Sequence, residues 1–276
     1  MKKFLSIILM MILSITAVFS LVACDNGGGG TPETGIICKK NTDGYVVTGY
    51  VDEGKGVTEL DVETATKAKY GNSAKVVRIK AGAFDGNSTL VSVVVPTTVT
   101  KIDGGAFKNM KSLVRLTIPF VGYTNVADSY DGENKVAENK SIGEQRSFGY
   151  IFGTQEYTGG SQMTFNYTKT KTLTAYLPAT LREVIVNPAE NYNLPAYAFS
   201  GLAIVPTLTL GEKVISIGEA SFYKTFSVET LTLGEGIVNV YKDAFTEFTS
   251  LKTINYKGSL NLSEYGISSD VTIKNN

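Results

Sequence analysis

Apolar positions recur along this chain with a period of 23 residues. Phe84 and Phe107 are 23 apart, and Phe199, Phe222 and Phe245 repeat the spacing after a long interruption. Five residues before each stands an aliphatic side chain (Ile79, Ile102, Leu194, Ile217, Val240), and immediately before each a small one (Ala83, Ala106, Ala198, Ser221, Ala244). Six residues after come Leu90, Leu113, Val205, Val228 and Leu251. Nine and eleven after come the pairs Val93/Val95, Leu116/Ile118, Leu208/Leu210, Leu231/Leu233 and Ile254/Tyr256. Alternation over the last pair predicts a short strand with one buried face. The Ala/Ser-Phe portion predicts a tight or briefly helical turn on the opposite side. A register of this kind describes a solenoid, because one repeat cannot bury its own apolar face and stacked coils can.

The period divides the chain. Residues 76–119 and 173–258 carry repeats; 36–75 reads as an atypical first coil that caps the core, with strands at Tyr45–Val51 and around Leu60 and Val62. Residues 259–276 read as a C-terminal cap with a last strand at Val271–Ile273. Between the repeat blocks, 120–172 breaks the count and is rich in aromatic residues. A pure loop of that length would be unusual, so an ordered excursion containing a hairpin is expected. Phe148, Tyr150 and Phe152 are expected inside it; Tyr123, Tyr130 and Tyr157 stand among polar residues and are expected at its surface. The coil at 173–186 resumes the pattern at Leu181, Val184 and Val186 without its phenylalanine. The fold class is therefore a mainly-β or α/β-type solenoid with short parallel strands, capped ends and one long insertion.

The N-terminus adds an address. Lys2 and Lys3 precede an apolar run from Phe4 to Phe19, which is short for a membrane span and is arranged as a signal sequence. The run ends in Leu21-Val22-Ala23-Cys24, which resembles the lipobox of bacterial lipoproteins. That likeness implies cleavage after residue 23, acylation of Cys24 and a membrane anchor. Residues 24–35 then form a glycine-rich tether. With Cys24 acylated, Cys38 has no partner for a disulfide.

Composition narrows the chemistry further. The chain has 26 basic and 26 acidic residues and no histidine. Balanced charge leaves no electrostatic footprint for nucleic acid. The missing imidazole removes the commonest general base and a frequent metal ligand, so neither an enzyme nor a bound metal or cofactor is expected. Ser221-Phe222-Tyr223-Lys224 formally matches a Ser-x-x-Lys nucleophile motif, yet Ser221 fills the small-residue position of its repeat. Asp128, Asp131 and Glu133 gather around Gly132, but their spacing departs from a calcium loop.

Val99-Thr100-Lys101-Ile102-Asp103-Gly104-Gly105-Ala106-Phe107, continued by Leu113, Leu116, Ile118 and Pro119, resembles the repeat of the BspA-like leucine-rich-repeat family of bacterial surface proteins. The likeness runs over about residues 44–258, and Phe148-Gly149-Tyr150-Ile151-Phe152-Gly153 resembles an insertion met in that family. It departs at Ser221 and in the coil that lacks its phenylalanine. The resemblance implies a leucine-rich-repeat fold and a role in extracellular binding or adhesion, with ligands that vary between members.

Two surfaces remain once the inward positions are assigned. The residues between them (Ser92/Val94, Arg115/Thr117, Glu183/Ile185, Thr207/Thr209, Thr230/Thr232, Thr253/Asn255) should align as ladders on the outer face of a parallel sheet. Threonine there suits strand propensity alone, and the same face suits docking of an extended partner. Loop tyrosines such as Tyr123, Tyr130 and Tyr157 suit protein or glycan recognition, and they equally suit a satellite core that ties the excursion down. The expectation is a lipid-anchored, extracytoplasmic surface protein that binds an extracellular or cell-surface protein. The alternative is a glycan-binding lipoprotein that uses the aromatic insertion.

Overall fold

A computed structural model describes residues 34–275, apart from 53, 55, 125–139 and 242. The described chain opens with an antiparallel hairpin, β1 (Gly35–Lys40) and β2 (Tyr45–Val51), followed by β3 (Glu59–Asp61) and α1 (Val62–Tyr70). Two repeats follow as β4 (Val76–Ile79), β5 (Ser92–Val94), β6 (Lys101–Ile102) and β7 (Arg115–Ile118). The long coil then holds α2 (Lys140–Arg146), a 3-10 turn (Phe148–Ile151) and the hairpin β8 (Gly160–Asn166) and β9 (Thr172–Pro178). Repeats resume with β10 (Glu183–Val186), β11 (Tyr192–Leu194), β12 (Thr207–Leu210), β13 (Val214–Ile217), β14 (Thr230–Leu233), β15 (Asn239–Val240) and β16 (Thr253–Tyr256). A 3-10 turn (Leu262–Tyr265) and β17 (Thr272–Lys274) close the chain.

The coils stack as a solenoid with the expected period. One strand from each coil joins an eight-stranded parallel sheet, in the order β17-β16-β14-β12-β10-β7-β5-β3. The aliphatic residue five before each phenylalanine builds a second wall, which the sequence pattern did not foretell as sheet. There β4 and β6 continue the β1–β2 hairpin, and β11, β13 and β15 form a separate three-stranded parallel sheet. Ile79, Ile102, Leu194, Ile217 and Val240 point inward from these strands and are buried.

The first coil departs from expectation at Val62. The strand ends at Asp61, whose carboxylate accepts the Thr64 N–H at 2.7 Å and caps a helix. Val62 and Thr66, one helical turn apart, face the core. Glu63 in the first turn and Lys67 and Lys69 in the last complement the helix dipole. Gly71, at φ 96°, ends the helix.

The turns carry the phenylalanines as a stack of rings. Phe84 and Phe107 lie 5.2 Å apart, Phe199 and Phe222 5.9 Å, and Phe222 and Phe245 5.4 Å, with interplanar angles of 5–7°. The insertion does not interrupt this stack. Phe152 lies 6.3 Å from Phe107, Phe148 lies 5.2 Å from Phe152, and Phe199 lies 5.2 Å from Phe148. Backbone bonds follow the same path. Phe84 N–H donates to Ala106 O, Phe107 N–H to Ile151 O, Phe148 N–H to Ala198 O, Phe199 N–H to Ser221 O and Phe222 N–H to Ala244 O. The 3-10 turn at Phe148–Ile151 thus takes the place of the turn that the 173–186 coil lacks. Ala175 holds that coil's phenylalanine position and packs, buried, against Gly149.

The hairpin β8–β9 covers this region. Met163, Phe165, Leu173, Ala175 and Leu177 form its buried inner face, while Gln162, Thr164, Thr172 and Thr174 face out. Tyr192, buried in β11, accepts the Val121 N–H at 3.1 Å and fixes the start of the excursion. Burial holds its phenol well above the ordinary tyrosine value, so the hydroxyl stays protonated. Among the described residues no helix is long and apolar enough to cross a membrane.

Candidate functional site

The outer face of the eight-stranded sheet is built by register. Pairing aligns Glu59, Ser92, Arg115, Glu183, Thr207, Thr230, Thr253 and Thr272 in one row. A parallel row holds Asp61, Val94, Thr117, Ile185, Thr209, Thr232, Asn255 and Lys274. No bulge interrupts either row. With strands about 4.8 Å apart, the eight form a face about 34 Å long. Between the rows, Leu60, Val93, Leu116, Val184, Leu208, Leu231 and Ile254 point into the core. A shift of one residue would exchange the faces, so the buried row fixes the exposed one.

Most positions of this face are uncharged, and half of them bear a hydroxyl. Thr207, Thr209, Thr230, Thr232 and Thr253 are each half-buried by their neighbours along the rows. Asn255 Nδ2 donates to Thr232 Oγ1 at 3.3 Å, linking adjacent strands. Its charged positions are Glu59 and Asp61 at one end, Lys274 at the other, and the Arg115–Glu183 pair between them. That pair is joined from Arg115 Nε to Glu183 Oε2. Such a surface offers hydroxyl donors and acceptors at regular intervals and little charge.

The tyrosines are placed elsewhere. Tyr123 is half-buried beside the second wall: its carbonyl accepts the Ile102 N–H at 2.8 Å, and its ring meets Tyr150 edge-on at 6.2 Å. Tyr157 does not stand free as expected. Its ring packs over Gly160 and its hydroxyl is buried without a hydrogen-bond partner, because the glycine lets the ring close down on the backbone. Burial raises its pKa, and the polar handle that made it a recognition candidate is out of reach. Tyr130 and Cys24, and the acidic group Asp128, Asp131 and Glu133, lie outside the described residues.

Ser221 is committed to structure. Its hydroxyl is buried and lies within 2.8 Å of Gly218 O and 3.0 Å of Pro195 O, so it donates within the turn stack. Lys224 points away to the Tyr223 ring and Glu247. The Tyr223 hydroxyl and then Glu247 raise the pKa of this amine, away from the range of a general base. Among the described residues no group of three or more His, Cys, Asp or Glu side chains is arranged to hold a metal.

A feature missed in the sequence is a cleft where β8 meets the C-terminal turns. It has a volume of about 390 Å³ and is bordered by Gln162, Thr164, Asn166, Thr172, Lys224 and Phe226. The signal for it was present. Four residues after each core phenylalanine stand Ser88, Lys111, Ala203, Phe226 and Thr249, and the aromatic is the exception.

Stacked 23-residue coils, an eight-stranded parallel sheet and a ring-stacked turn ridge define a leucine-rich-repeat solenoid. The repeat described as "BspA type Leucine rich repeat region" matches residues 67–130 and 164–275 in six copies, and the chain belongs to that family. Among solved structures it is similar to a leucine-rich cell surface protein of Faecalibacterium prausnitzii, at 16% identity and a TM-score of 0.23. That match covers 76% of this chain and 66% of the other, so this chain spans just under two thirds of that neighbour. A leucine-rich repeat protein of Bacteroides ovatus is similar at 13% identity and a TM-score of 0.22, over 87% of this chain and 75% of that one. No curated protein matches the chain.

Proposed function

We propose that the protein is a surface-displayed, non-enzymatic adhesion module that uses the eight-stranded face to dock an extended segment of another protein. The unbroken double row from Glu59 to Lys274 is the observation that carries this reading. An extended segment laid across parallel strands meets equivalent groups at each strand step. Threonine hydroxyls can donate to and accept from its peptide groups without a charge to desolvate. The signal-like N-terminus and the membership of this repeat family support extracytoplasmic display.

The test is saturable binding of the purified chain to extracellular proteins immobilised from host or neighbouring-cell surfaces. Thr209→Lys combined with Thr232→Lys should weaken binding at least tenfold while leaving the thermal midpoint nearly unchanged, since both side chains point outward. Binding that survives this pair would move the partner off the sheet. The anchor is read separately: Cys24→Ala should abolish incorporation of a clickable fatty acid, and undiminished labelling would refute acylation at that residue.

A further inference from the structure

We propose that the cleft between β8 and the C-terminal turns binds a neutral carbohydrate. Phe226 is 53% exposed, one of three large apolar side chains so exposed among the described residues. The repeat does not need it, because Phe222 and Val228 already close that coil and are fully buried. At the same position the other coils carry serine, lysine, alanine and threonine. An exposed phenylalanine in a concave site has a face free to meet the C–H side of a sugar ring.

The opposite wall is made for hydroxyl groups. Gln162, Thr164 and Asn166 stand on the outward row of β8, with Thr172 across the hairpin turn. Tyr176 donates its O–H to Gln162 Oε1 at 3.2 Å, and Ser200 donates to Asn166 Oδ1 at 3.4 Å. These bonds orient both carboxamides with their nitrogens left to donate, while the threonine hydroxyls can donate or accept. One apolar face and one rim of donors and acceptors match the two sides of a pyranose. The volume of about 390 Å³ lies within the range of small-ligand sites.

Charge selects within the carbohydrates. Among the described residues no carboxylate borders the cleft. Its cation, Lys224, already has Glu247 at 4.0 Å and lies 5.0 Å over the Tyr223 ring. An acidic sugar would compete with Glu247 for that amine, and a basic one would find no counter-ion. A purely apolar ligand would cover the amides and hydroxyls without replacing their bonds to water. An uncharged, hydroxyl-rich ligand leaves none of these groups unmatched. This surface is separate from the strand face, so the inference does not rest on protein docking there.

Affinity electrophoresis of the purified full-length chain in gels containing starch, xylan or galactomannan tests this, with polygalacturonate as the acidic comparison. Retardation is expected in at least one neutral gel. Phe226→Ala should raise the apparent Kd at least tenfold, Phe226→Tyr should preserve binding, and Thr209→Lys with Thr232→Lys should leave it unchanged. Thr164→Glu, at an exposed position on the opposite wall, should abolish retardation as an independent check if Phe226→Ala disturbs folding. No retardation in any neutral gel, or equal retardation of wild type, Phe226→Ala and Thr164→Glu, would overturn the proposal. Retardation confined to polygalacturonate and lost in Lys224→Met would also overturn it, in favour of an acidic ligand.

Discussion

The repeats of 76–119 and those of 190–257 share one backbone and meet it with different residues. Two residues before each core phenylalanine the chain is left-handed throughout. The earlier repeats place Gly82 and Gly105 there at φ 69° and 68°, whereas the later ones place Tyr197, Ala220 and Asp243 at 59°, 51° and 59°. Two residues after, Gly86 and Asn109 correspond to Gly201, Lys224 and Glu247, again with positive φ throughout. A left-handed alanine or lysine persists only where its surroundings over-determine it. The stack does so here: Tyr197 N–H donates to Glu219 O at 3.0 Å and Lys224 N–H to Thr246 O at 3.3 Å, as Gly82 N–H donates to Gly105 O. Stacking, rather than glycine, imposes the turn. The later repeats are thereby free to carry side chains on the turn ridge, where Tyr223, Lys224, Phe226 and Glu247 gather.

The comparison breaks most severely if the two blocks do not form one continuous stack. Phe148 is the link, because its ring lies between Phe152 and Phe199 and is fully buried. Phe148→Ala should cost about 3–5 kcal/mol, the same range as Phe222→Ala inside the regular repeats. Both are read as denaturation midpoints at unchanged slope. A cost near zero for Phe148→Ala beside a full cost for Phe222→Ala would make the insertion an appendage and leave two independent stacks.

A smaller effect measures the turn strain directly. Ala220→Gly should stabilise the protein by about 1 kcal/mol, since it relieves a left-handed alanine, and Gly82→Ala should destabilise it by about the same amount. Space is not the issue at Gly82, where an added Cβ would meet nothing nearer than 3.7 Å. Gly201→Ala should cost clearly more, because its Cβ would run into the Thr164 carbonyl oxygen of β8 as well. Equal costs at Gly82 and Gly201 would mean that the hairpin yields readily and does not hold the wall of the cleft.

How much of this was legible depended on whether a position belonged to the period. Phe84 through Phe245, the paired aliphatics of each strand and the outward threonines could be placed from spacing alone, because a repeating coil gives every residue a known direction. The second wall was harder: its strands run two to four residues, with Val240 the single buried residue of its strand and Val76 and Ile79 buried three apart in theirs, so no alternation shows there. Val62 reads as strand beside Leu60, whereas the Asp61 cap and the helix after it obey a different period. Phe148 and Phe152 were legible as buried but not as rungs of the stack, since a substitution in space leaves no trace in sequence spacing. The burial of the Tyr157 hydroxyl is not legible in sequence, because polar neighbours along the chain say nothing of Gly160 folding beneath the ring. The cleft arises between a hairpin and a coil far apart in sequence, and its one local sign was a phenylalanine in a position otherwise filled by small or polar residues and a lysine.

The smallest expected effect lies on the strand face, where the two blocks meet at β7 and β10. Arg115 and Glu183 face each other in register there, whereas the corresponding C-terminal pairs are Thr207–Thr230 and Thr230–Thr253. The side chains of Arg115 and Glu183 are 52% and 29% exposed, so water and salt screen much of their attraction. Glu183→Gln should therefore cost less than about 1 kcal/mol in dilute buffer. The difference should shrink further on adding salt, because it is Coulombic at a wetted surface. Thr230→Ser, in a neutral row, should show no comparable salt dependence. A cost for Glu183→Gln that is large and indifferent to salt would mean that the ion pair pins the long coil to the first block. Continuity of the sheet would then depend on that pair, and the buried row of Leu116, Val184 and Leu208 beneath it would not suffice to set the register.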